Sequence, residues 1–158
     1  MELGKHTKAL LSEVKMIVTV VNNRIDKKHV LDIRRSVFVN EQKVPINEEV
    51  DAYDESETVI HLLGKYENTP VAASRIRFVD DYAKLERIAV LKDFRGKNFG
   101  ADMVVAMEEV ILTHNCNHAV LNAQVYAEAF YKKLGYTKIS DVFMDAGIPH
   151  ITMDKKLK

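Results

Sequence analysis

The segment Lys84 to Ala101 (KLERIAVLKDFRGKNFGA) carries the clearest chemical pattern in the chain, a strand-like run that passes through a basic turn into a long amphipathic helix. A helix N-terminus presents unpaired N–H groups and a partial positive charge, so an anion seated there is held by backbone and dipole together. Gly96 and Gly100 let the main chain approach such an anion closely, and Arg95 and Lys97 add full charges. The pattern reads as a pyrophosphate cradle. It is not a Walker loop, because no Gly-Lys-Ser/Thr follows at the required gap, and its glycine spacing is not that of the dinucleotide fingerprint. An ordinary glycine-containing cap before an amphipathic helix fits the same residues, and this segment alone does not choose.

The elements that must position this turn follow from periodicity. Met16 to Val21 is a short β-branched strand ended by Asn22 and Asn23. A helix follows, with Asp26 as its expected cap and Val30, Ile33, Val37 and Phe38 on one face. Asn47 to Thr58 holds six carboxylates and no base, which predicts a loop with at most a short helix. A solvated loop is the commoner explanation of such a run; the alternative is one lip of a cleft that attracts a cation. Thr58 to Tyr66, Val71 to Val79 and Ala83 to Leu91 read as an antiparallel meander. The long helix after the basic turn, with Phe99, Met103, Met107 and Ile111 in its stripe, should stop near Asn115 or Asn117. Ala119 to Gln124 is a strand, Ala127 to Leu134 a short helix closed by Gly135, and Tyr136 to Phe143 and Ile148 to Asp154 are closing strands around Asp145-Ala146-Gly147. The order β α β β β α β α β β predicts an α/β (α+β) fold: a mixed, mostly antiparallel central sheet flanked by helices on both faces.

Composition narrows the function classes. The chain has 158 residues with 23 Lys plus Arg against 23 Asp plus Glu. That balance argues against nucleic acid as a partner. No apolar run approaches the roughly 20 residues that cross a bilayer, so no membrane role is expected, and the lone Cys116 suits a reducing, cytoplasmic location. Residues 1–15 read as an N-terminal extension, a short helix or a tag, ahead of a single domain over 16–158. His114-x-Cys116-x-His118 lies in a turn with no fourth ligand, so no metal site is expected. His61 and His150 fall within strand patterns, where the default is a hydrogen-bonded structural histidine.

Arg95-Gly96-Lys97-Asn98-Phe99-Gly100, preceded by the apolar Ile88-Ala89-Val90, resembles the Arg/Gln-x-x-Gly-x-Gly/Ala loop of the GNAT (GCN5-related N-acetyltransferase) superfamily. Ala129 to Tyr136 (AFYKKLGY) is similar to that family's second signature, a helix ending in Tyr-x-x-x-Gly-Phe/Tyr. The resemblance spans Val18 to Leu157. More narrowly, Arg35 to Pro45, Asp51, His61 and Ala146-Gly147-Ile148-Pro149-His150 look like the small bacterial ElaA/YjcF-like members. Asn98 departs from the pattern, standing where the first motif glycine is expected; Asn is the non-glycine residue that best tolerates positive φ, so the loop should survive.

The resemblance implies the acyl-CoA N-acyltransferase fold, acetyl-CoA as co-substrate and a primary amine, of a small molecule or a protein, as acceptor by direct attack. It gives pantetheine pairing to Ile88, Ala89 and Val90. The pyrophosphate falls to the N–H groups of Gly96, Lys97, Asn98, Phe99, Gly100 and Ala101, with Arg95 adding charge, and the proton for the thiolate falls to Tyr131. A backbone N–H of the Ile88 to Val90 strand is expected to meet the oxyanion. Counting by twos places Lys84 and Glu86 on the face of Ile88 and Val90, and Arg87 with Leu85 and Ala89. Glu86 either takes the ammonium proton, directly or through water, or is paired with Arg75 or Arg77. Asn122 and Gln124 either orient the acceptor or satisfy strand-edge backbone. A non-catalytic acyl-CoA-binding module is the rival class, and the sequence leaves monomer and homodimer open.

Overall fold

The computed structural model describes residues 15–158, so the expected extension lies, up to residue 14, outside the described residues. Strand β1 (Ile17–Val20) leads into α1 (Arg24–Arg34), which continues as a π-helical segment over Arg35–Glu41. The single turn α2 (Ile46–Glu49) and a 3₁₀ turn (Ala52–Glu55) connect to β2 (Ile60–Tyr66), β3 (Thr69–Val79) and β4 (Tyr82–Val90). After a 3₁₀ turn (Lys92–Phe94) come α3 (Phe99–Thr113), β5 (His118–Gln124), α4 (Glu128–Lys133), β6 (Thr137–Lys138), β7 (Phe143–Asp145) and β8 (Ile148–Lys156).

All the strands join one sheet in the order β1-β2-β3-β4-β5-β8-β6, with β7 also on β8; β4 and β5 are parallel and every other pair is antiparallel. The apolar stripe of α3, Phe99, Met103, Met107 and Ile111, packs on one face with Leu62, Ile76, Leu85 and Leu121. Val30 and Ile33 of α1 and Val37 of the π-helical segment cover the other face over Leu63, Ala73 and Ala89. The expected mixed sheet with helices on both sides is what forms.

Local differences have identifiable causes. Asn23, not Asp26, caps α1: the Asn23 Oδ1 accepts the Asp26 N–H at 2.8 Å, leaving Asp26 inside the first turn. The expected strand Tyr136 to Phe143 is broken in two, because the Ser140 hydroxyl accepts the Thr152 N–H at 2.8 Å where a backbone carbonyl would continue the ladder. The acidic stretch is anchored at Glu49 and Asp54, while Glu48, Glu55 and Glu57 stay exposed. Glu49 and Asp54 are fully buried against the equally buried Arg34, and Asp51 caps the 3₁₀ turn by accepting the Tyr53 N–H.

Candidate active site

The parallel pairing of β4 with β5 covers Ala83 to Leu85 against Ala119 to Leu121 and then stops. Beyond it the two strands part, and the gap opens toward the turn before α3. The cause sits in β4, where Arg87 adopts φ 55° and the β3 register jumps from Ala73 opposite Ala89 to Arg75 opposite Glu86. One residue more on β4 than on β3 is a β-bulge, which bends the strand and shifts side-chain parity. The count by twos therefore fails here. Ile88 and Val90 pack with Leu85 on the α3 face, while Ala89 packs on the α1 face, the side that also carries Glu86 and its partner Arg75.

The bulge also sorts the three residues expected to pair with a pantetheine arm. The Leu91 N–H bonds the Val71 carbonyl on β3, so by alternation Ala89 points its main-chain groups to β3 as well. Ile88 and Val90 turn theirs to the gap. There the Val90 carbonyl accepts from Arg95 Nε at 3.0 Å, and the Arg95 guanidinium donates two hydrogen bonds to the Glu41 carboxylate at 2.9 Å each. Arg95 thus fixes the turn to the strand and to the π-helical segment, and its charge is matched by Glu41.

The turn itself supplies donors. Gly96 has φ 80° and Asn98 φ 65°, so the asparagine holds the left-handed geometry expected of it, as N-cap of α3. The Asn98 side chain makes no capping bond; its carbonyl accepts the Asp102 N–H at 3.0 Å. No described residue accepts from the N–H groups of Gly96 through Ala101. A Cβ at Gly96 would meet nothing within 4 Å, so the approach from solvent is clear. A row of free N–H groups at the positive end of a 15-residue helix fits a diphosphate.

Where the strands part, the surface recedes into a half-open cavity of about 230 Å³. Glu86, Ile88, Asn122, Gln124, Tyr131 and His150 all line it, so the residues expected to handle the acceptor and the thiolate share one chamber. Phe38 of the π-helical segment and Gln42, which caps its end, line it too. Sequence periodicity treats that stretch as ordinary helix, and nothing in it signals a π-helical run; such runs recur at functional sites. Gln42 accepts from Gln124 Nε2 at 2.8 Å, and Asn122 Oδ1 accepts from the Thr152 hydroxyl at 2.9 Å. Both amides are oriented by these bonds. Tyr131 packs edge-to-face between Phe130 and Tyr136, its hydroxyl has no described partner, and burial, with a smaller contribution from the neighbouring Tyr126 phenol, pushes its pKa up to about 12.

Beneath the bulge lies a network of matched charges. Arg34 donates to Glu49 and Asp54, and Arg75 donates to Asp51, Asp54 and Glu86. Arg87 reaches Glu49 at 2.8 Å and Asp51 at 3.3 Å. Glu86 meets Arg75 at 2.9 Å and Arg77 at 3.2 Å, an ion pair with each arginine. Burial alone would raise its carboxyl pKa, but the bonds and charges of the two arginines outweigh burial and lower it. Among the described residues no three His, Cys, Asp or Glu side chains gather as a metal site; His118 Nε2 bonds Asp154 at 2.8 Å. No described helix is long and apolar enough to cross a membrane.

Strands that part beside a helix N-terminus rich in free donors define the acyl-CoA N-acyltransferase architecture. The model of the acetyltransferase (GNAT) domain matches residues 22–157, and the chain belongs to that family of N-acyltransferase enzymes. It is 41% identical over 142 residues to the uncharacterized N-acetyltransferase YjcF of Bacillus subtilis, covering 89% of this chain and 99% of that one. The crystal structure of Escherichia coli ElaA is similar with a TM-score of 0.80 at 25% identity, covering 90% of this chain and all (100%) of that one. An aminoglycoside 6'-N-acetyltransferase solved in complex with coenzyme A shares the fold at a TM-score of 0.72 and 16% identity, covering 90% and 97%.

Proposed function

We propose that the protein transfers an acetyl group from acetyl-CoA to a primary amine, on a small molecule or a protein, by direct attack in the cytoplasm. The observation that carries this is the row of unpartnered N–H groups from Gly96 to Ala101, set at the mouth of the gap between β4 and β5. The co-substrate supplies an activated acyl carbon as a thioester; the chain supplies position and protons. The turn holds the diphosphate, and Ile88 and Val90 offer gap-facing main-chain groups to the amide-bearing arm and the developing oxyanion.

At the chamber, the Tyr131 hydroxyl is neutral and free to donate toward the departing sulfur. Asn122 and Gln124, held by Thr152 and Gln42, orient the acceptor nitrogen. Glu86 is held at the wall by Arg75 and Arg77, which neutralise its charge and leave it a weak proton acceptor. Placement of two reactants in one chamber removes several kcal/mol, on the order of 7–11, from a bimolecular barrier.

The test is thiol release from acetyl-CoA across a library of primary amines. Turnover with at least one amine class is expected. Coenzyme binding without turnover on any amine or protein acceptor would replace this reading with that of a binding module.

A further inference from the structure

We propose that His150 is the base that receives the acceptor's proton, an inference that rests on the acetyl-transfer reading above. His150 lies on β8 directly opposite Gln124 of β5 and lines the same chamber as Asn122, Gln124 and Tyr131. Its Nδ1 is 2.7 Å from the Ile148 carbonyl. A carbonyl only accepts, so Nδ1 carries the hydrogen and the neutral ring keeps its lone pair on Nε2. No described residue bonds Nε2. The ring is further fixed by stacking on Phe143, with centroids 6.0 Å apart and an interplanar angle of 23°. A main-chain bond that sets the tautomer, a packed ring and an unbonded Nε2 on a residue that lines the chamber are what a general base requires.

Glu86 is the other candidate, and its surroundings oppose it. Three cations lie within 4.0 Å of its carboxylate, Arg75, Arg77 and Lys84, and each disfavours protonation. His150 has no such ion pair among the described residues.

The proton inventory closes. An ammonium acceptor loses two protons as its C–N bond to the acyl carbon replaces the C–S bond, and the sulfur keeps the electron pair of the bond that breaks. Nε2 of His150 takes the first nitrogen proton and releases it to solvent. The sulfur takes its proton from the Tyr131 hydroxyl, and the second nitrogen proton restores that phenol through water.

Three measurements on the full chain test this. Long-range ¹H–¹⁵N correlation spectra of the free protein should show His150 protonated at Nδ1, and an Nε2–H tautomer overturns the proposal. For His150→Gln, kcat with the best amine should fall about 10²-fold or more while acetyl-CoA still raises the melting temperature as in wild type. A kcat within about 3-fold of wild type overturns it. For His150→Ala, added imidazole should restore turnover and pyrazole, similar in size and a far weaker base, should not; equal rescue by both reduces His150 to a space-filling role. If wild type itself acetylates nothing, the parent reading fails, and that result is distinct from a wild type that works beside an unimpaired His150→Gln.

Discussion

A phenol is a good proton donor only while it remains a phenol, and burial secures that for Tyr131. With its pKa pushed up to about 12, it stays protonated through the range near pH 10 where a free tyrosine is half ionised. Tyr131→Phe should therefore lower kcat by about 10² to 10⁴ while leaving coenzyme binding unchanged, as read by paired kinetics and thermal-shift titration. Any loss of wild-type activity between about pH 8 and 10 then belongs to another group. The buried carboxylates answer to the opposite sign. Burial would raise the Asp54 carboxyl, but Arg34, the Asp51 N–H and Arg75 outweigh it and hold it well below the ordinary carboxylate range. A depressed folded-state pKa contributes stability that is present above the unfolded value near 4 and is lost as pH falls below it. Asp54→Asn should cost about 3–5 kcal/mol at neutral pH, since it strips a partner from two buried arginines, and should flatten the acid limb of stability in pH-dependent denaturant melts.

At the scale of elements, the two glycines of the turn before α3 answer to different needs, since Gly96 holds φ 80° and Gly100 does not need positive φ. Gly100 sits in the first turn of α3, and a Cβ there would make only ordinary contact, 3.4 Å from the Phe130 ring. Gly100→Ala should thus stabilise the free protein, by up to about 0.5–1 kcal/mol from reduced chain entropy. The loop pattern that this turn resembles admits Gly or Ala at this place, so acetyl-CoA affinity should be kept; a melting temperature that rises without ligand beside an unchanged titrated affinity checks this. The turn was legible in the sequence because each requirement has a residue type: Gly96 and Asn98 for left-handed backbone, a long apolar stripe for the helix. The bulge at Arg87 was not. An arginine at φ 55° leaves no composition cue, yet that one extra residue reverses which face Glu86 occupies relative to Ile88. The π-helical run that carries Phe38 and is capped by Gln42 escaped for the same reason, since its apolar spacing reads as α. The burial of Glu49 and Asp54 depends on Arg34 and Arg75 arriving from distant elements, which local charge density does not report.

Across the whole molecule, the sheet couples the two halves of the site through a single parallel pair. β4 brings the bulge and the turn, β5 brings Asn122 and Gln124, and α4 and β8 bring Tyr131 and His150 from the other side of the gap. The closed part of that pair spans only Ala83 to Leu85. A ligand that inserts between the parted ends replaces missing ladder bonds and satisfies the orphan donors of α3 at once. Binding to the folded state alone stabilises by mass action, and acetyl-CoA at about 100 times its dissociation constant should add about 2.7 kcal/mol. For a domain of this size, each kcal/mol moves the melting temperature by about 2–4 °C, so the shift should be plain in calorimetry. Desulfo-coenzyme A, which keeps the diphosphate and the amide arm but lacks the sulfur, should give most of that shift. Adenosine, lacking both, should give little. A shift of equal size with adenosine, or none with acetyl-CoA, would remove the gap and the turn as the binding site.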